Sequence, residues 1–62
     1  MTPEIGTKLS DGTLAREVLW ADGRKVRVRS TWQVRGGHEA AHELTLPMNV
    51  WISWGERCKA EA

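Results

Sequence analysis

The sequence predicts an all-β fold, a small antiparallel meander of five strands, and this prediction rests on three observations. The stretch 25–35 alternates apolar and mostly cationic side chains with a period of two, which is the pattern of a β-strand. Asp-Gly pairs at 11–12 and 22–23 mark tight turns, because such pairs adopt the positive φ angles that short hairpin loops need. The Gly36-Gly37 pair marks a third turn.

The length of 62 residues allows one small domain, 1–62, whose core is marginal. Chains of this size often need a disulfide, a metal or a partner chain, so assembly with a second chain is one expected source of stability. Cys58 is the only cysteine, which excludes an intrachain disulfide and fits a reducing compartment. No apolar run reaches the length of a membrane span, and the N-terminus lacks the apolar core of a signal peptide. We therefore expect a cytoplasmic protein. The termini, 1–4 and 56–62, are expected to be loose.

The composition carries a hint about origin. Phe and Tyr are absent, arginines outnumber lysines, and there are four tryptophans, as in GC-rich coding sequences. We expect an actinobacterium, or a phage of one, as the source. The net charge of +1 is too small to indicate a nucleic-acid partner by itself, so any such case must rest on how the charges are distributed.

The first two strands are predicted at 5–9 and 13–20. With Asp11 and Gly12 as a two-residue loop, Leu9 lies opposite Leu14, and apolar residues meet across the pair. One face of the second strand then carries Leu14, Val18 and Trp20, with Arg16 as a misfit, and the other face carries Ala15, Glu17 and Leu19.

The third strand follows a predicted three-residue loop, Ala21-Asp22-Gly23, which pairs Val18 with Val26. A two-residue loop would instead place Val18 opposite Arg27. The inner face of this strand is predicted to carry Val26, Val28, Ser30, Trp32 and Val34.

The segment His38-Glu39-Ala40-Ala41-His42 matches HExxH and so resembles the zincin metalloproteases over five residues. That resemblance implies a zinc site at His38 and His42. Glu56 and Cys58 are the residues available as a third ligand. In a strand the two histidines lie about 13 Å apart, too far to share an ion, whereas a helix would bring them to roughly 6 Å.

The hairpin interpretation is the preferred one for this segment. Residues 36–38 then form the loop, Thr31 lies opposite Glu43, and Val28 lies opposite Leu46. A chance match on a hairpin therefore explains the HExxH pattern better than a metal site.

The last strand is predicted at 50–55, after a short break at Pro47-Met48-Asn49. Its period of two places Val50, Ile52 and Trp54 in the core and turns Trp51 outward. An outward Trp51 would leave a large apolar area in water, which indicates a surface that a partner covers.

Five sequential strands with tight hairpins and a turn at Pro47 resemble an SH3-like barrel. The resemblance is architectural, and it implies no function because that scaffold serves many unrelated ones. The alternative is an open β-sheet that is completed by dimerisation.

The sequence predicts a non-enzymatic protein without a cofactor that binds a protein partner or another copy of itself. A small phage-encoded protein that engages a host component would fit this description. Trp next to Arg is typical of interface hot spots. The candidate partner-binding residues are Trp51, Leu19, Met48, Arg27 and Arg29.

The alternative function is nucleic-acid binding by the basic face of strand 25–35, which carries Lys25, Arg27, Arg29 and Arg35. Glu17 and Glu43 are predicted to lie beside these cations. Cross-strand ion pairs on a solvated face are therefore the preferred interpretation of this pattern.

Overall fold

Four antiparallel strands in sequential order form the body of the fold, as seen in a computed structural model that describes residues 3–60. A short helix and a two-residue strand follow them. The elements are β1 (Lys8–Ser10), β2 (Leu14–Ala21), β3 (Lys25–Gln33), β4 (Glu39–Pro47), α1 (Met48–Gly55) and β5 (Lys59–Ala60). The prediction of an antiparallel, mostly β fold is therefore confirmed, while the predicted loose termini lie partly outside the described residues.

The sheet is open, with the strand order β4-β3-β2-β1-β5. In the described part of the chain, β4 and β5 are its two edges and are not paired with each other. The structure thus has an open sheet where an SH3-like barrel was predicted. The fifth strand is also not where the sequence predicted it, because 48–55 is helical and β5 is only two residues long.

The hairpin loops are the main difference in detail. In the first turn, Asp11 accepts two hydrogen bonds on Oδ1, from the backbone N–H groups of Thr13 and Leu14, both 2.8 Å long. This bonding makes Asp11 the last residue before the loop and places Gly12, with φ of 96°, first within it. Leu9 consequently lies opposite Arg16 and not Leu14.

The second turn repeats this arrangement. Asp22 Oδ1 accepts from the N–H groups of Arg24 and Lys25, and the Asp22 N–H donates to the Lys25 carbonyl. The loop is therefore Gly23-Arg24, so the predicted three-residue loop is wrong. Val18 pairs with Val28.

The third loop is Arg35-Gly36-Gly37, since the Val34 N–H donates to the His38 carbonyl at 2.8 Å. Arg29 therefore pairs with Glu43, and Val28 pairs with Leu44. Each hairpin register is displaced by two residues from its prediction. A displacement by two keeps every side chain on its predicted face.

The exception is a β-bulge at Leu19, where Val18 pairs with Val28 and Trp20 pairs with Arg27. The extra residue moves Trp20 to the face opposite to Val18. The prediction that Trp20 shares a face with Val18 is therefore wrong, and Trp20 is 45% exposed.

Helix α1 replaces the predicted last strand. It buries Met48, Trp51 and Trp54, which are three residues apart, and exposes Val50 and Ile52. The predictions that Val50 and Ile52 belong to the core and that Trp51 points outward are both wrong. An isolated eight-residue helix is marginal in water, so packing against the sheet must hold it in place.

The core lies between α1 and one face of the sheet, which we call the front face. Its buried apolar side chains are Val18, Val26, Val28, Leu46, Met48, Trp51 and Trp54. Trp32, predicted as a core residue, is half-buried and lies outside this cluster. The opposite side, the back face, has no helix packed on it in the described part of the chain.

Candidate functional site

The back face collects the cations that the sequence singled out. Lys25, Arg27 and Arg29 are all exposed on alternate residues of β3. Glu43 of β4 lies between the two arginines, with its carboxylate 3.7 Å from Arg27 and 3.4 Å from Arg29. Arg35 lies apart from them, in the β3–β4 loop.

These ion pairs contribute little to the free energy of folding. All three side chains are about half exposed, and exposed ion pairs contribute about 0–1 kcal/mol. Arg27 also donates a hydrogen bond to Thr45 Oγ1 at 3.2 Å. These contacts orient the side chains across β3 and β4 but contribute little to the stability of the fold.

Trp20 is the aromatic residue of the back face. The bulge at Leu19 places it opposite Arg27, where an aromatic ring and a guanidinium lie next to each other on neighbouring strands. No sequence pattern indicated this position, because a strict period of two assigns Trp20 to the core. Only the bulge brings it to the surface.

Three of the predicted partner-binding residues lie elsewhere. Trp51 and Met48 belong to the helix and are buried on its side facing the sheet, and Leu19 is half-buried at the bulge. The Trp51 and Trp54 rings pack against each other with centroids 5.6 Å apart. The argument that Trp51 marks a working surface depended on its exposure, and this exposure is absent.

The HExxH segment is part of strand β4. His42 pairs with Ser30 and His38 closes the β3–β4 loop, so the helical arrangement that a zincin needs does not form. Among the residues that the structure describes, no group of three or more His, Cys, Asp or Glu side chains could hold a metal ion. The hairpin prediction for this segment is confirmed, although its register is displaced.

Cys58 lies beside the core, in the turn after α1. Its Sγ is 3.2 Å from the carbonyl oxygen of Trp54, to which the thiol donates. Burial, together with the charge of Asp11, raises the pKa of the Cys58 thiol. A raised pKa keeps the sulfur protonated near neutral pH and makes it a poor metal ligand or nucleophile.

The outer edge of β4 is a further candidate site, because the backbone groups of this strand alternate regularly between β3 and the outside. Two hydrogen bonds flank the β3–β4 pair, from the Val34 N–H to the His38 carbonyl and from the Met48 N–H to the Arg24 carbonyl. Both join even-numbered residues, so by alternation the even-numbered residues of β4 bond to β3. In an antiparallel ladder the intervening residues point their backbone groups the opposite way. The outward-pointing residues that have both a backbone N–H and a carbonyl are Glu39, Ala41, Glu43 and Thr45; Pro47 also points outward but has no N–H.

Comparisons with protein-family models, with curated proteins and with solved structures find no match to this chain. In the described residues, no helix has the length and apolar character needed to cross a membrane.

Proposed function

We propose that this protein is a non-enzymatic binding module that assembles with a second copy of itself through the outer edge of β4. The observation that carries the proposal is a nine-residue edge strand whose outer backbone groups form no pair within the described chain. Unpaired edges of this kind readily accept another strand. The dimer would extend the open sheet, as in the alternative drawn from the sequence, an open sheet completed by dimerisation.

Apart from the charged side chains of Glu39 and Glu43, strand β4 lacks the features by which proteins usually protect an edge. Its pairing with β3 runs without a bulge from Lys25–Pro47 to Gln33–Glu39. It contains no lysine, and its one proline is the last residue. The other edge differs, since β5 has only two residues.

The second copy is the favoured partner because β4 is complementary to itself in one register. Two copies that pair antiparallel around a two-fold axis keep their faces, so the register is defined by the residue on the axis. With His42 on the axis, Ala41 lies opposite Glu43 of the second copy, and Glu39 lies opposite Thr45. All four outward-pointing residues that have a backbone N–H then find a partner in each copy, which gives about eight backbone hydrogen bonds.

The neighbouring registers are less favourable. With Glu43 on the axis, the two Glu43 carboxylates lie directly opposite each other. With Ala41 on the axis, Glu39 faces Glu43 twice. Like charges directly opposite each other destabilise a strand pair, so the charges of β4 favour the His42-centred register.

The experiment is sedimentation equilibrium of the 7.0-kDa chain over a concentration series, which should show a monomer–dimer equilibrium. Ala41→Pro removes an outward N–H without removing a bond to β3, so it should yield monomers. Ala41→Ser keeps that N–H and is the matched control, which should still dimerise. A wild-type chain that stays monomeric up to about 1 mM would contradict the proposal.

Single-stranded nucleic acid is the second candidate ligand, and the observation that favours it is the exposed Trp20 opposite Arg27. An exposed aromatic ring beside cations can stack on a base while the cations contact phosphates. The negative charge of Glu43 weakens phosphate binding at this face, because its carboxylate lies within 4 Å of both Arg27 and Arg29. Fluorescence titration of the tryptophans with oligothymidylate tests it.

A further inference from the structure

Arg16 is a cation on the otherwise apolar front face of β2. Its guanidinium carbon lies 4.7 Å from the centroid of the Trp54 ring, and its Nε donates to Ser30 Oγ at 3.1 Å. Stacking on an indole orients the guanidinium plane and lowers its freedom to move. Arg16 is thus held in place by α1 and β3 together.

The terminal nitrogens of Arg16 remain available. In the part of the chain that the structure describes, the only ion pairs are those of Arg27 and Arg29 with Glu43, and the side-chain bond of Arg16 uses Nε alone. The same part of the chain contains no buried side-chain nitrogen or oxygen that lacks a partner. The two terminal nitrogens are therefore open to solvent.

Arg16 lines a cleft of about 320 Å³ between β2 and one flank of α1. The side chains that line it are Arg16, Asn49, Val50, Ser53, Trp54 and Arg57. Asn49 and Ser53 are four residues apart and share a flank of the helix. The Arg57 N–H donates to the Trp54 carbonyl at 3.1 Å, which holds the turn at the end of the cleft.

The charged side chains that line the cleft are all cationic. It has two guanidinium groups, one amide, one hydroxyl and an apolar wall, and no carboxylate lines it. Asp11, which contacts the Trp54 side chain, accepts the indole N–H on Oδ2 at 3.2 Å and two backbone N–H groups on Oδ1. Both carboxylate oxygens of Asp11 therefore already accept hydrogen bonds, one within the turn and the other from the Trp54 indole.

We propose that this cleft binds the phosphate group of a small phosphate monoester whose organic part is apolar. A phosphate monoester carries close to two negative charges and three acceptor oxygens near neutral pH. Two arginines match that charge, and arginine forms paired hydrogen bonds to phosphate oxygens. Val50, which is 42% exposed, provides the surface on which the organic group rests.

The test is an NMR titration of the ¹⁵N-labelled full chain with phenyl phosphate, following the Trp54 indole and Arg16 Nε signals. Both should shift and saturate together. Benzoate, which has the same ring but one charge, should bind more weakly, and so should inorganic phosphate, which has no apolar group. Equal or tighter binding of benzoate would overturn the assignment to phosphate, and equal binding of inorganic phosphate would overturn the role of the apolar wall.

Two variants make the test specific to the cleft. Arg57→Gln removes an exposed charge without touching the core and should weaken phenyl phosphate binding about 10-fold or more. Arg35→Gln removes the same charge in the β3–β4 loop and should leave binding unchanged. The proposal is wrong if both variants weaken binding equally, or if phenyl phosphate shifts neither cleft signal.

Discussion

A charge placed at residue 41 distinguishes the proposed dimer register from its neighbours. Ala41 is exposed on the back face of the edge strand β4, and in the His42-centred register it lies opposite Glu43 of the second copy. Ala41→Lys therefore creates an attractive cross-strand pair, whereas Ala41→Glu creates a repulsive one. The two variants should shift the dimer dissociation constant in opposite directions.

The size of the effect follows from the symmetry of the dimer. A cross-strand charge pair contributes about 0.2–1 kcal/mol, and the two-fold axis produces it twice. The total of about 0.4–2 kcal/mol corresponds to a change of about 2- to 30-fold in the dissociation constant for each variant. Such changes are measurable by sedimentation equilibrium, because the dimer has twice the 7.0-kDa mass of the chain.

The matched controls are Thr31→Lys and Thr31→Glu. Thr31 pairs with Ala41 but belongs to β3, one strand further from the proposed interface. These variants change the net charge by the same amount, so they measure the general electrostatic effect on association. Circular dichroism of the tryptophans verifies that each variant keeps its core.

The outcomes separate the registers. If Ala41 itself lies on the axis, both charged variants repel their own copy and both weaken the dimer. If Glu43 lies on the axis, Ala41 faces Thr45 and neither variant has a marked effect. Either result would refute the His42-centred register, and effects no larger than those at Thr31 would refute the β4 interface.

Three further predictions concern the core, the first turn and the back face. Trp51→Ala should lower the free energy of unfolding in urea by about 3–5 kcal/mol, whereas the exposed Ile52→Ala should change it by about 0.5 kcal/mol or less; equal effects would contradict the helical packing. Hydrogen bonds from the Leu14 and Thr13 N–H groups and the Trp54 indole lower the pKa of Asp11 below its usual 3.8. The Asp11 carboxylate therefore stabilises the fold above that pH and loses this effect as the pH falls through its folded-state pKa, so Asp11→Asn should flatten the acid end of a melting-temperature profile. Oligothymidylate should bind no tighter than about 10⁻⁴ to 10⁻⁶ M near physiological salt. Submicromolar, salt-sensitive binding that is lost in an Arg27→Ala, Arg29→Ala variant would instead favour the nucleic-acid function.

The candidate sites were only partly visible in the sequence. Arg27 and Arg29 were expected on one exposed face, and the structure places them there next to Glu43. Arg16 was noticed only as a misfit on an apolar face, and its contact with Trp54 depends on the helix that the sequence did not predict. A contact between residues that are 38 positions apart, on different elements, leaves no local pattern to read.

The sequence by itself determined the strands β2 to β4, the location of their turns and the two faces of β3. Alternation of side chains carries this information, because a period of two assigns each residue to a face without reference to any partner strand. The register needed more than alternation, since a shift by two residues leaves every face unchanged. Hydrogen bonds from the backbone to the Asp11 and Asp22 side chains decided it.

Only the tertiary structure decided the bulge at Leu19 and the helix α1. Residues 48–55 fit both periods, because Val50, Ile52 and Trp54 alternate while Met48, Trp51 and Trp54 recur every three residues. The front face of an open sheet must be covered, and a helix covers it by burying two tryptophans against Val18 and its neighbours. That gain in buried apolar surface outweighs the strand preference of the local residues.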